Sequence, residues 1–323
     1  MDLGTRERVW TVPLSDVSHT GVLMLGELAI VGTDDGQITA VDIASGKQSW
    51  SVDVGDHVLA AMAGTEELVL ASVRPEAQGS ASLVALHVSD GSQAWRFQPT
   101  GAVLDLGSPS LGGDLAYVVG SDGSLRAVGV SDGAQRWAAR LYTPTAGSPP
   151  AVNDAGVFVT DQSGTIYAFD PASGAERWRY ASNRFAVGGP IVTADMLLQP
   201  ASDGTVLAVD TSTGHQVWHA TVADAAVIGL AATADMIVAT CTGTTPGFVA
   251  LETDPAGVGE DITSPTAPDP AGLVLAWFAA ALPIAAALVL LGRALGTRMG
   301  TPDLGTPEDD VVDPWELEAG DET

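Results

Sequence analysis

The sequence predicts an all-β fold of repeated four-stranded antiparallel modules, and three observations carry that prediction. Five tryptophans, Trp50, Trp95, Trp137, Trp178 and Trp218, follow one another at intervals of 45, 42, 41 and 40 residues. Each stands four positions after a glycine and ten after an alanine: Ala40, Gly46 and Trp50; Ala85, Gly91 and Trp95; Ala127, Gly133 and Trp137; Ala168, Gly174 and Trp178; Ala208, Gly214 and Trp218. Between these landmarks apolar residues come in short runs broken by Gly-bearing dipeptides, and no 3.6-residue period is present before residue 270.

The fourth copy shows how one period is laid out. Residues 156–160, 165–170 and 175–180 are apolar or alternating runs, separated by turns at Ser163-Gly164 and Ser173-Gly174. The same turns recur at Asp35-Gly36 and Ser45-Gly46, Asp122-Gly123 and Asp132-Gly133, and Asp203-Gly204 and Thr213-Gly214. Glycine supplies the positive φ of such turns at little steric cost. Ahead of each trio lies a fourth run with small residues, Gly or Pro, at 102–111, 146–153, 186–192 and 225–232. Small residues suit an innermost strand, where sheets converge. A sheet this short cannot bury both faces alone; radial stacking does so and leaves only short edges.

Counting the copies gives six blades. Trp10 precedes Trp50 by 40 residues, so 6–12 reads as an outermost strand lacking the rest of its blade. At the other end, 225–232, 236–240 and 247–252 supply three strands with no Gly-x-x-x-Trp after them. Pairing the first segment into the last sheet closes the ring and removes an open edge. The expected domain is a six-bladed β-propeller of four-stranded blades over residues 1–257.

The run from Ala208 to Trp218, Ala-Val-Asp-Thr-Ser-Thr-Gly-His-Gln-Val-Trp, resembles the tryptophan-docking motif of PQQ-like, quinoprotein-type β-propeller repeats. That family includes quinoprotein alcohol dehydrogenases and non-catalytic, BamB-like assembly proteins. The resemblance implies that each outer-strand Trp packs against a neighbouring blade, making all five structural, and it makes seven or eight blades the alternative to six. Asp42, Asp170 and Asp210 keep the motif's acid, whereas His87 and Gly129 replace it.

Beyond the propeller, 258–270 is a Pro-rich linker, and 271–292 holds 22 residues without a charge. As a helix that stretch spans about 33 Å, enough for a bilayer core of about 30 Å. One transmembrane helix is therefore expected, with Pro283 tolerated inside it. Arg293 and Arg298 follow it, while no Lys or Arg occurs between 185 and 292. The positive-inside rule then puts the acidic tail 293–323, expected to be disordered, in the cytoplasm and the propeller outside. No signal-like stretch opens the sequence, so either the true start lies upstream or the protein is tail-anchored with a cytoplasmic propeller.

The 323 residues carry 40 acidic against 13 basic side chains, a formal net charge of −27. That balance excludes nucleic acid as an expected partner, because phosphate binding needs Lys or Arg to displace counterions. It also fits a salt-loving source: high ionic strength screens the self-repulsion, and Lys47 is the only lysine. One cysteine, Cys241, allows no disulfide framework and no Cys-based zinc site. No Gly-x-Ser-x-Gly elbow, P-loop, His-Glu-x-x-His or EF-hand loop occurs. His215 and His219 on one strand lie about 13 Å apart, too far to share a metal.

No catalytic, cofactor-binding or metal residue is therefore expected. The predicted function is a membrane-anchored, non-catalytic scaffold that binds proteins or envelope components and contacts the bilayer through 271–292. Two alternatives stay open, a dehydrogenase using PQQ and calcium, which the resemblance implies, or an envelope sugar-binding protein. Against the first, Cys241 lacks the adjacent cysteine that many family dehydrogenases carry. The one candidate surface is a patch of Arg140, Tyr142, Arg179, Tyr180 and Arg184. It draws on a cluster of basic residues that also includes Arg96, Arg126, Arg136 and Arg177, with Phe185 beside it.

Overall fold

A computed structural model of the protein describes residues 8–252 except 56, 76–78, 144–147, 234–235 and 245. The expected linker, apolar span and acidic tail lie outside the described residues. Within them are 23 strands and no α-helix. The first sheet holds β1 (Leu23–Leu25), β2 (Leu28–Gly32), β3 (Gln37–Asp42) and β4 (Gln48–Asp53). The second holds β5 (Ala63–Gly64), β6 (Leu68–Val73), β7 (Ser82–His87) and β8 (Gln93–Phe97). The third holds β9 (Ser110–Gly112), β10 (Leu115–Val119), β11 (Ser124–Gly129) and β12 (Gln135–Arg140). The fourth holds β13 (Ala151–Asn153), β14 (Gly156–Thr160), β15 (Thr165–Phe169) and β16 (Glu176–Ala181). The fifth holds β17 (Ile191–Val192), β18 (Met196–Pro200), β19 (Thr205–Asp210) and β20 (Gln216–Thr221). The sixth holds β21 (Val227–Ala232), β22 (Met236–Cys241) and β23 (Gly247–Glu252).

Every sheet is an antiparallel meander in chain order. The first strands of successive sheets are neighbours, β1 with β5, β5 with β9, β9 with β13, β13 with β17 and β17 with β21. The core lies between sheets. Ile30, Ile38 and Val58 meet Val69 and Val84 between the first two, and Tyr117 and Leu125 meet Val157 and Tyr167 between the third and fourth. Middle strands such as β6, β11 and β14 are buried along their length because a sheet covers each face. Outer strands such as β4 and β12 are mostly exposed, with their Trp turned inward.

The repeat landmarks are the fastenings between sheets. Ala40, Ala85, Ala127, Ala168 and Ala208 lie directly across the third-to-fourth strand pairing from Trp50, Trp95, Trp137, Trp178 and Trp218, each followed by a bulge. The small alanine leaves space beside the indole. Four of the rings reach the next sheet, where Nε1 donates to a turn carbonyl: Trp50 to Val88 at 2.7 Å, Trp95 to Val130 at 2.8 Å, Trp137 to Pro171 and Trp178 to Thr211 at 2.9 Å. The ring then covers the glycine three residues on. A Cβ at Gly91, Gly133, Gly174 or Gly214 would come within 2.5–2.7 Å of ring carbons, and each φ lies between +68° and +73°. Glycine is required there twice over, for its φ and for the indole above it.

The third-to-fourth strand turns carry their own caps. Asp210 Oδ1 accepts from the N–H and hydroxyl of both Ser212 and Thr213, which holds its carboxyl down at about 2. Asp170 sits well below the usual carboxylate range through Arg177, then Ser173. Where His87 and Gly129 replace the acid, Asp90 and Asp132 cap the turn from three residues later, accepting from Ser92 N and Ala134 N. A Cβ at Gly129 would also collide with the Asp132–Arg136 ion pair.

Two expectations differ from the structure. The innermost strands are shorter than the runs that suggested them, since much of each run is spent on the connection between sheets. The strand expected over 6–12 is not formed in its described part, and the sixth sheet has three strands among the described residues. Pro13 cannot donate to a ladder. Trp10 is nonetheless seated like its repeat counterparts: Nε1 donates to Ile43 O at 2.7 Å, and its ring covers Gly46.

Candidate functional site

An antiparallel meander places its turns at two opposite ends. First-to-second and third-to-fourth strand turns share one end; second-to-third turns and the connections between sheets share the other. Four of the large exposed apolar side chains stand at the second end, Tyr142 at 84% exposed, Phe185 72%, Leu104 64% and Val17 58%, whereas others such as Phe248 and Met24 lie on strands. Leu104, Tyr142 and Phe185 stand in the connections leading into the third, fourth and fifth sheets.

Each of these connections is tied to a turn of the sheet it enters. Ser121 Oγ accepts from the N–H groups of Leu104 and Asp105, and Ser121 N donates to Asp105 O at 2.9 Å. Tyr142 N donates to the Tyr167 hydroxyl at 3.0 Å, and that hydroxyl donates to Asp161 Oδ2 at 3.0 Å. Asp161 is fully buried and also accepts from Ser163 Oγ, Thr165 N and Thr143 N. Burial pushes the Tyr167 phenol up, so it stays protonated and able to donate. Ser202 N donates to Phe185 O, and Arg184 reaches Asp203 Oδ2 and Thr205 Oγ1. The exposed rings thus ride on backbone that is already ordered, which lowers the entropy cost of binding.

The expected patch is dispersed across this framework. Arg140 and Tyr142 border one connection, both exposed. Arg179 forms a two-bond pair with Glu176 and lies 5.6 Å over the Tyr167 ring. Tyr180 spans to the next sheet, its hydroxyl donating to Gln216 Oε1 at 2.8 Å. Arg184 belongs to the connecting end through Asp203. Of the other arginines, Arg126 is buried against Asp122, while Arg136 and Arg177 pair with Asp132 and Asp170 at the opposite end. Arg96 bonds Ser82 Oγ and Val54 O. Sequence reasoning found Tyr142 and Phe185 but missed Leu104 and Val17. The available signal was an apolar residue inside a connection rich in Gly, Asp and Ser.

A depression of about 410 Å³ lies at the same end beside the first two sheets, lined by Asp16, Asp34, Asp35, His57 and Arg74. His57 Nδ1 contacts Asp34 O, and His19 Nδ1 lies 2.9 Å from Asp34 Oδ1. Among the described residues no group of three or more His, Cys, Asp or Glu side chains is placed to hold a metal ion. Chemically, the connecting end offers apolar and aromatic contact surface on a fixed backbone, and Tyr142 and Phe185 are of the aromatic type enriched at protein interfaces.

Residues 1–149 and 143–250 match the family described as outer membrane protein assembly factor BamB. The chain belongs to that family. It is 26% identical over 179 residues to the serine/threonine-protein kinase AfsK of Streptomyces griseus, covering 50% of this chain and 22% of the kinase. It is 25% identical over 189 residues to BamB of Yersinia pestis, covering 53% of this chain and 47% of that protein. The chain thus spans less than half the length of these curated relatives. The crystal structure of the computationally designed Ika8 protein aligns with a TM-score of 0.58 at 16% identity, over 68% of this chain and 67% of that one. The fold is a PQQ-like β-propeller fold.

Proposed function

We propose that this protein is a non-catalytic, membrane-tethered scaffold that binds partner proteins through the connecting end of its sheets. The observation that carries the reading is the set of three bulky exposed side chains, Leu104, Tyr142 and Phe185, on connections held by hydrogen bonds to the following sheet. Relatives named as outer membrane protein assembly factors favour a role in assembling membrane or envelope proteins. The uncharged stretch 271–292, followed by Arg293 and Arg298, is the tether, with the propeller outside and the tail in the cytoplasm.

The ring is six-bladed and closed by the chain's first segment. Trp10 occupies on the first sheet the seat that each outer-strand Trp takes on its neighbour. Ala250 holds in the sixth sheet the register of Ala40 and Ala208, so closure sets Trp10 opposite Ala250. A quinone cofactor has no support from the innermost strands. Their residues are Leu, Met, Ala, Gly, Ser, Val, Asn and Ile, with no charge to hold a tricarboxylate and calcium.

The test is affinity purification from detergent-solubilised membranes, comparing the native chain with a Leu104→Ser, Tyr142→Ser, Phe185→Ser variant. All three side chains are exposed, so the variant is expected to keep its melting temperature and lose its stoichiometric partner. Retention of the same partner overturns the surface assignment. Stoichiometric uptake of added PQQ with calcium overturns the non-catalytic reading, and a propeller protected from protease on intact cells overturns the orientation.

A further inference from the structure

The opposite end of the sheets has a different chemistry. Its first-to-second strand turns carry Glu27, Glu66 and Glu67, Asp114, Asp154 and Asp195, and its third-to-fourth turns carry Asp42, Asp90, Asp132, Asp170 and Asp210. Of the bases nearby, Arg136 and Arg177 are already paired with Asp132 and Asp170. A negative surface alone selects nothing, but this one contains a groove of about 880 Å³ running between turns of the second, third and fourth sheets. Leu115, Val130 and Pro171 give it an apolar lining, and Glu66, Glu67 and Asp114 give it an acidic one; Arg136, the one basic residue of the lining, is neutralised by its ion pair with Asp132, so the lining stays net negative.

The groove walls are built in. Thr65 Oγ1 accepts from the N–H groups of Glu67 and Leu68, fixing the turn that presents the two glutamates. Val130 N donates to Asp114 O, and Val130 O receives the Trp95 indole, so that wall is part of the fastening between sheets. No hydrogen bond or ion pair engages the carboxylates of Glu66, Glu67 or Asp114 among the described residues, and all three residues are exposed. Their charge is therefore free to act on a ligand. An anion or nucleic acid is repelled here. A peptide with alternating cationic and apolar side chains satisfies both linings at once.

We propose that this groove docks an extended basic segment of a partner protein, with Lys or Arg over Glu66, Glu67 and Asp114 and the intervening apolar side chains against Leu115, Val130 and Pro171. It is separate from the connecting end and independent of what binds there. Binding weakens with salt, because exposed charge pairs are screened within about 8 Å at physiological ionic strength.

The test is fluorescence anisotropy of the full chain in detergent with a short labelled peptide of alternating lysine and leucine. Two variants of equal charge change are compared. Glu66→Gln, Glu67→Gln, Asp114→Asn removes the groove carboxylates; Glu27→Gln, Asp154→Asn, Asp195→Asn removes exposed acids of the same end outside it. The groove variant is expected to weaken binding about tenfold, and the control about twofold or less. Replacing the peptide's leucines by serine is expected to weaken binding as well. No binding to the native chain, equal loss in both variants, or indifference to the leucines overturns the proposal, the last two by showing diffuse attraction to an acidic surface.

Discussion

Adding one methyl group at Gly174 tests the fastening on which the sheet packing rests. At φ +69°, alanine first incurs the cost of a left-handed backbone, about 1 kcal/mol. Its Cβ would then lie 2.5 Å from ring carbons of Trp137, a side chain only 9% exposed. The indole has to withdraw, giving up its bond to Pro171 O, worth about 1 kcal/mol, and part of its burial, about another 1–2 kcal/mol. Gly174→Ala is thus expected to cost about 3–4 kcal/mol. Gly113→Ala is the matched control: its φ is +57°, but nothing lies within 4 Å of the added Cβ, leaving only the backbone cost of about 1 kcal/mol. Urea unfolding followed by tryptophan fluorescence reads the difference as a midpoint about 1 M lower for Gly174→Ala than for Gly113→Ala. Equal midpoints refute the reasoning, because only the indole distinguishes the two sites.

Three further outcomes follow from the same contacts. Tyr167→Phe removes the hydroxyl between Tyr142 N and Asp161, so stability falls by about 1–3 kcal/mol in thermal melts and amide exchange quickens at Tyr142. Asp210, held near 2, keeps its charge in the folded chain where the unfolded chain takes up a proton; its contribution is complete above the ordinary carboxylate pKa and is lost as pH falls towards 2. The stability gap between the native chain and Asp210→Asn is therefore expected to shrink between pH about 5 and 2, measured by urea midpoints at each pH. With a net charge of −27, the melting temperature is expected to rise with KCl, and a flat curve removes the salt-loving reading.

Much of the fold was legible because the repeat residues are the contacts themselves. Gly174 and Trp178 stand at fixed spacing since one receives an indole and the other donates one, and each role tolerates one residue type. The strands at 156–160 and 247–252 fall where the apolar runs put them. The inner strands were overestimated because residues such as Leu104 and Asp105 donate to a serine hydroxyl, and the Asp105 carbonyl accepts from a turn N–H, rather than pairing in a ladder. The site was less legible. Leu104 and Val103 are adjacent apolar residues, yet one is 64% exposed and the other 1%, a distinction that only the path of the connection makes. Asp161 occupies the turn position of Thr33, Gly120 and Ala201 in other copies, and nothing local marks it as a buried anchor for the Tyr142 connection. Arg184, in the connection entering the fifth sheet, finds Asp203 nineteen residues on in a turn of that sheet.

The central claim, a ring closed by joining the chain's first segment to the sixth sheet, is tested most directly by a cross-link. If Trp10 lies opposite Ala250, Thr11 lies opposite Val249, as Ser51 lies opposite Thr39 in the first sheet. Thr11→Cys with Val249→Cys, in a Cys241→Ala background, is expected to form an intramolecular disulfide on mild oxidation and to raise the melting temperature. Two thiols that stay free and reactive under the same oxidation contradict closure and leave β23 an open edge.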